Sequence, residues 1–167
     1  MKQLLLIRHG KSSWDFPGTP DRDRPLNQRG RKDAPKMAAA LGERGVVPGA
    51  IVSSSAARAS STASMIAEGV GFPAGRIVFD ESVYLASPRT LLKVIQQLDE
   101  SVDTALIFGH NPGMHDTVDL LTGDDVVEKF PTLGVARLEL DVDHWGEVDE
   151  GCGSLVELLT PKNLKKE

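Results

Sequence analysis

Two histidines and two arginines stand out in this chain because each closely follows a short apolar run. Arg8-His9-Gly10 comes directly after Leu4-Leu5-Leu6-Ile7. His110 follows Ala105-Leu106-Ile107-Phe108-Gly109. Arg58 lies just past Ala50-Ile51-Val52, beyond the turn Ser53-Ser54-Ser55. If these runs are parallel strands, their ends present both histidines and both arginines to one side of a sheet. Folding has no need of such a cluster. Phosphoryl transfer does, because it wants a nucleophile in line with the leaving atom and fixed positive donors around the equatorial oxygens. A guanidinium is a planar fork that matches phosphate geometry. Gly10 lets the backbone approach an anion with no side chain in the way.

Other chemistries find less support. The four histidines are His9, His110, His115 and His144. His110 and His115 are not the i, i+4 helical pair of a zinc hydrolase, and no cysteine cluster exists, so no metal site is expected. Serines are plentiful at Ser53 to Ser55 and at Ser60-Ser61, but no Gly-x-Ser-x-Gly elbow contains one. They read as turn and cap residues. The glycine-rich nucleotide loop ending in Gly-Lys-Ser/Thr is also missing.

The elements that must position the cluster alternate along the chain. Leu4 to Ile7, Ala50 to Val52, Ile77 to Phe79 and Ala105 to Phe108 read as strands. Helices are expected over Asn27 to Arg44, with Asn27 as N-cap, and over Ala57 to Glu68, Pro88 to Leu98 and Pro112 to Leu121. Pro35 should kink the first helix or mark a late start. Pro88 and Pro112 should occupy first-turn positions. Leu133 to Val142 and Ser154 to Leu159 read as two more strands, paired antiparallel at an edge. The pattern predicts one α/β domain over residues 1–167, a three-layer α/β/α arrangement with a mostly parallel sheet and helices on both faces. Ligands of such sheets sit beyond the carboxyl ends of the strands.

Composition narrows the classes. The chain has 167 residues and a formal net charge of −5. Such a chain has no bulk attraction for nucleic acid or anionic lipid, so neither is an expected partner. An anionic substrate must be drawn in by local arginines. Cys152 is the only cysteine, which rules out an intrachain disulfide and fits a reducing compartment. The apolar run before Arg8 is too short for a signal-peptide core or a membrane span, so a cytoplasmic location is expected.

Four ordered blocks carry a resemblance. Arg8-His9-Gly10-Lys11-Ser12-Ser13-Trp14-Asp15 resembles the Arg-His-Gly-Glu-Ser-x-Trp-Asn opening of the histidine phosphatase superfamily, also called phosphoglycerate mutase-like. Asp23-Arg24-Pro25-Leu26-Asn27-Gln28-Arg29-Gly30 resembles its Asp-x-x-Leu-Ser/Thr-x-x-Gly segment. Ser53-Ser54-Ser55-Ala56-Ala57-Arg58-Ala59 with Thr62-Ala63 resembles its Arg-Ala-x-x-Thr-Ala block, and Phe108-Gly109-His110-Asn111-Pro112-Gly113 its second histidine block. The short chain, the Arg-Pro-Leu segment and Pro161-Lys162-Asn163-Leu164 are similar to the small SixA branch, whose named activity is on phosphohistidine of signalling proteins.

The resemblance implies a phosphoglycerate mutase-like fold, a phosphatase, no cofactor and a covalent phosphohistidine. It implies that His9 is the nucleophile and that Arg8, Arg58 and His110 complete the phosphate pocket. The family's proton-donating Glu follows the third strand, where Glu81 stands in this chain; a solvated loop carboxylate is the other reading of that residue. Two positions depart from the pattern. Lys11 replaces the common Glu, adding positive charge at the mouth. Asp15 replaces a neutral Asn and should point away from phosphate or contact Arg22 or Arg24. A phosphohistidine-carrying protein is the expected partner of a monomer or weak dimer. A sugar phosphate, a nucleotide, a phosphoglycerate-type mutase reaction and a non-catalytic phospho-ligand domain stay open.

Overall fold

In the computed structural model, residues 1–164 are described. The strands are β1 (Lys2–Arg8), β2 (Ala50–Ser53), β3 (Val78–Phe79), β4 (Thr104–Gly109), β5 (Val135–Leu140) and β6 (Gly153–Leu159). The helices are α1 (Gln28–Glu43), α2 (Ala57–Val70), α3 (Pro88–Gln96), α4 (Gly113–Thr122) and the short α5 (Pro161–Leu164). One six-stranded sheet runs in the order β3-β2-β4-β1-β5-β6. The first four strands in that order are parallel; β5 runs antiparallel to β1, and β6 antiparallel to β5 at the edge.

The strands alternate their side chains between two cores. Leu4 and Leu6 face one side with Leu91, Leu92 and Ile95 of α3 and Met114, Val118 and Leu121 of α4. Leu5 and Ile7 face the other with Met37 and Leu41 of α1 and Ile66 of α2. All four β1 side chains are at most 1% exposed, so each contributes about 1.5–3 kcal/mol of burial free energy. Burial on both faces is why β1 and β4 read as unbroken apolar runs rather than alternating ones.

Local chemistry sets the helix ends. The Asn27 side chain accepts a hydrogen bond from Gly30 N at 2.9 Å and caps α1. Ser87 caps α3 ahead of Pro88 at its first position. Gly71 ends α2 and Gly123 ends α4, both left-handed, at φ 77° and 70°.

Four expectations need correction. Helix α1 begins at Gln28 with Pro35 inside it, so Pro35 marks no late start. Pro112 is the N-cap of α4, with αR backbone, rather than its first helical residue. Strand β3 is only two residues long; Ile77 packs into the core without joining the ladder. Strand β5 starts at Val135, because Gly134 N turns back onto Pro131 O and Leu133 is left-handed at φ 55°.

Candidate active site

Sheet register brings the functional residues together. Arg8 pairs with Gly109, and Ser53 with Phe108, so β1, β4 and β2 end at almost the same level. The next residues are His9, His110 and Ser54. The helices that follow β1 and β4 depart to opposite faces, and the crevice between such neighbours is where open α/β sheets bind ligands. The backbone of His9 is held from both sides: its N–H donates to Gly109 O at 3.1 Å, and its carbonyl accepts from Leu133 N at 2.9 Å.

The ring of His9 is oriented by its own neighbour. Nδ1 lies 2.7 Å from Gly10 O. A carbonyl only accepts, so Nδ1 carries the proton and Nε2 keeps its lone pair. Arg58 Nε donates toward that Nε2 at 3.3 Å. Burial, with Arg58, Arg8 and Arg24 nearby, depresses the His9 pKa to about 4 against the opposing pull of Gly10 O. At neutral pH this imidazole is uncharged and can attack phosphorus.

His110 has the opposite tautomer. Arg58 Nη2 lies 3.4 Å from its Nδ1 and can only donate, so the proton sits on Nε2 and goes to Ser54 Oγ at 2.8 Å. Burial, then the charges of His9, Arg58 and Arg8, lower its pKa to about 3, with Asp21 opposing. The two rings are 5.2 Å apart, and Tyr84 meets His110 edge-on at 5.3 Å.

The arginines are held differently. Arg8 Nη1 donates to Phe130 O at 3.2 Å, a carbonyl that also accepts from Asn111 Nδ2 at 2.7 Å. Arg8 Nε is buried with no hydrogen-bond partner among the described residues, and an oxyanion is an acceptor that would satisfy it. Burial and the neighbouring Arg58 lower the pKa of Arg8. Arg58 sits in the first turn of α2 and is 3% exposed. It donates from Nη1 to Asp21 O at 2.6 Å and from Nη2 to Asp21 Oδ2 at 2.9 Å.

These side chains line one cleft of about 460 Å³, together with Lys11, Arg24, Asn27 and Asn111. No carboxylate is among the described residues that line it. Arg8, His9, Arg58 and His110 therefore meet, as their strand ends require. Glu81 does not line the cleft. It opens a 3₁₀ turn after β3, and its Oε2 takes Arg22 Nη2 at 2.7 Å and Ser55 Oγ at 2.5 Å. Asp15 is exposed and outside the cleft; Arg22 pairs with Glu81, and Arg24 with Asp21. Of the other two histidines, His115 Nε2 meets Val127 O and His144 Nδ1 meets Glu100.

Gly10 has a use other than the one expected. Its N–H donates to Thr62 Oγ1 at 3.1 Å instead of facing an anion. A Cβ on it would meet Leu26 Cδ2 at 3.2 Å and Gly30 Cα at 3.3 Å, and one on Gly30 would meet Lys11 O at 2.5 Å. The two glycines let the segment after β1 cross the start of α1 backbone against backbone. Sequence reasoning missed Asp21 altogether. Its alternation with Arg22, Asp23 and Arg24 looks like a solvated loop, and nothing local marks a partner 37 residues away.

Comparison with known proteins agrees with this geometry. The family profile for the histidine phosphatase superfamily (branch 1) matches residues 4–81. A crystal structure from Agrobacterium tumefaciens, assigned as the phosphohistidine phosphatase SixA, is 32% identical, with 96% of this chain and 98% of that one covered and a TM-score of 0.81. The chain belongs to the histidine phosphatase superfamily, SixA type. An uncharacterised protein of Mycobacterium tuberculosis is 32% identical over 165 residues, spanning 93% of this chain and 100% of the relative. A tungstate complex of the protein histidine phosphatase SixA has a TM-score of 0.84 at 23% identity, covering 97% and 99% of the two chains, and so shares the fold. As a phosphatase of the histidine phosphatase superfamily, the chain has its two histidines and two arginines where a phosphoryl group can be held. No helix among the described residues is long and apolar enough to cross a membrane.

Proposed function

We propose that this histidine phosphatase hydrolyses phosphohistidine presented by another protein, with His9 as nucleophile. His9 Nε2 attacks phosphorus and the bond to the substrate imidazole breaks. Arg8, Arg58 and His110 hold the equatorial oxygens. With ordinary pKa near 6.5, the substrate ring takes a proton from solvent on its far nitrogen and departs neutral. Water then attacks the phosphoryl group on His9, inorganic phosphate leaves, and the neutral tautomer is restored with Nδ1 on Gly10 O. A bound phosphoryl dianion favours a proton on His110 Nδ1, which then donates to a non-bridging oxygen.

The observation that carries the reading is the lack of a carboxylate among the described residues that line the cleft. An alkoxide leaving group must be protonated as it departs, and a phosphoramidate nitrogen needs far less help. The positive mouth supports a docked protein partner: Lys11 and Arg24 line the cleft, and Trp14 and Phe16 are exposed nearby in sequence. One observation favours phosphomonoesters instead. Glu81 is 61% exposed on its short turn and three residues from Tyr84, so a swing could bring it toward a leaving oxygen.

The test compares kcat/KM for a phosphohistidine protein, a sugar phosphate, a nucleotide and a phospho-amino acid. It is run on the wild type and on Glu81→Gln. Phosphohistidine should lead in both, with little change on substitution. A strong preference for one sugar phosphate or nucleotide, lost with Glu81→Gln, would replace this reading with the monoesterase one.

A further inference from the structure

We propose that Asp21 is a positioning residue that turns Arg58 toward its substrate; the proposal rests on the reading of the cleft as a phosphoryl site. A guanidinium has two edges that can grip an anion in a two-pronged way. The end edge uses Nη1 and Nη2, and the side edge uses Nε and Nη2. Asp21 occupies the end edge completely, through its backbone carbonyl at 2.6 Å and Oδ2 at 2.9 Å. The side edge is left facing the chemistry, with Nε 3.3 Å from His9 Nε2 and Nη2 3.4 Å from His110 Nδ1. A phosphoryl group transferred to His9 would meet that side edge.

The carboxylate is itself fixed from other directions. Tyr84 donates its hydroxyl to Oδ2 at 2.5 Å. Arg24 donates to Oδ1 from Nε at 3.3 Å and Nη2 at 3.1 Å, and anchors to Ser12 Oγ at 2.7 Å. The bond from Tyr84, and then those from Arg58 and Arg24, outweigh desolvation and hold the Asp21 pKa well below the usual range. Asp21 is therefore ionised throughout the working range and acts as a fixed negative post behind Arg58. Without the carboxylate, the end edge keeps only the bond from Nη1 to the backbone carbonyl of residue 21, and one bond fixes the guanidinium less firmly than two. None of the residues Asp21–Asp23 is buried, and none belongs to either core, so the turn that carries Asp21 adds little burial to the fold.

The experiment measures tungstate affinity, melting temperature, and kcat and KM for phosphoramidate. The proteins are the wild type, Asp21→Ala, Asp21→Asn, Arg58→Ala and the double variant with both alanines. Asp21→Ala should weaken tungstate on the order of ten- to hundredfold, as removal of an orienting partner does elsewhere. It should lower kcat by a larger factor than it raises KM, with melting little changed. Asp21→Asn keeps one acceptor oxygen, without the charge, and with that oxygen on Arg58 it should recover part of the loss. In the Arg58→Ala background, Asp21→Ala should change tungstate affinity by no more than about twofold, because its effect runs through Arg58. An equal loss in both backgrounds would make Asp21 a structural tether, and tighter tungstate binding in Asp21→Ala would make it a competitor for Arg58; either overturns the proposal. A wild type that binds tungstate but prefers esters leaves the role of Asp21 standing and removes the substrate reading. A wild type that binds no tungstate removes both.

Discussion

A neutral imidazole buried between guanidinium groups does not titrate like a free histidine. The acid limb of kcat/KM for the free enzyme should therefore lie near pH 4, where His9 gains its proton, rather than near 6.5. The same shift has a stability consequence. Both His9 and His110 have folded-state pKa values below the unfolded value, so the unfolded chain binds more protons in the window between them. Stability is complete above about pH 6.5 and falls as the pH drops toward 4 and then 3. Melting temperature against pH should show this slope, and His9→Gln and His110→Gln should each flatten it; an unchanged slope in both would mean that neither residue is neutral in the folded protein. Arg58→Lys should lower kcat/KM on the order of 10²- to 10³-fold, the scale of losing one oriented donor. An ammonium cannot hold Asp21 and still face both histidines. Wild-type activity in that variant would show that neither edge of the guanidinium is used.

At the scale of elements, the tight crossing at Gly10 and Gly30 joins the cleft to α1. Gly30→Ala would place a Cβ 2.5 Å from Lys11 O, and backbone must move to relieve it. Gly69→Ala would place one 2.3 Å from Ala38 Cβ, in the α1–α2 packing away from the cleft. Each should cost about 1–3 kcal/mol in denaturant unfolding, as overpacking does. Only Gly30→Ala should also weaken tungstate, because it displaces the segment that follows His9. Equal tungstate affinity in the two variants would refute that coupling. The elements were legible because their signals are local: apolar runs for β1 and β4, Asn27 and Ser87 as caps. Four site side chains were legible for the same reason, since they stand at the end of a strand, directly after one, or at the head of a helix. What stayed hidden is long-range. Asp21 reaches Arg58, and Glu81 reaches Arg22, through loop geometry that no periodicity encodes. Leu133 was hidden by its type, since a bulky apolar residue gives no hint of a left-handed backbone.

On the scale of the whole molecule, two cores on opposite faces of one sheet support a site at the carboxyl ends of its inner strands. His9 is held by backbone bonds to Gly109 and Leu133, so its ring is not what joins the cores. His9→Ala should abolish turnover while keeping a cooperative melt close to that of the wild type. Trapping with radiolabelled substrate should label the wild type at His9, with a bond stable to base and labile to acid, and should leave His9→Ala unlabelled. An acid-stable label, or label on a serine, would remove His9 from the role proposed for it.

The chain holds two tryptophans, and the fold separates them completely. Trp145 is 0% exposed, with its indole N–H on Val102 O at 2.8 Å. Trp14 is 77% exposed on the wall of the cleft, with the Arg24 guanidinium 3.7 Å above its ring. An indole in water emits at longer wavelength than one in a dry interior. Fluorescence from this protein should thus divide into a blue component that follows the core and a red component that follows the cleft. Arg24 also holds Asp21, so an anion that disturbs the arginines should change the red light first. Titrating one cuvette with tungstate and then with denaturant should move the two colours in turn, and Trp14→Phe should silence only the first.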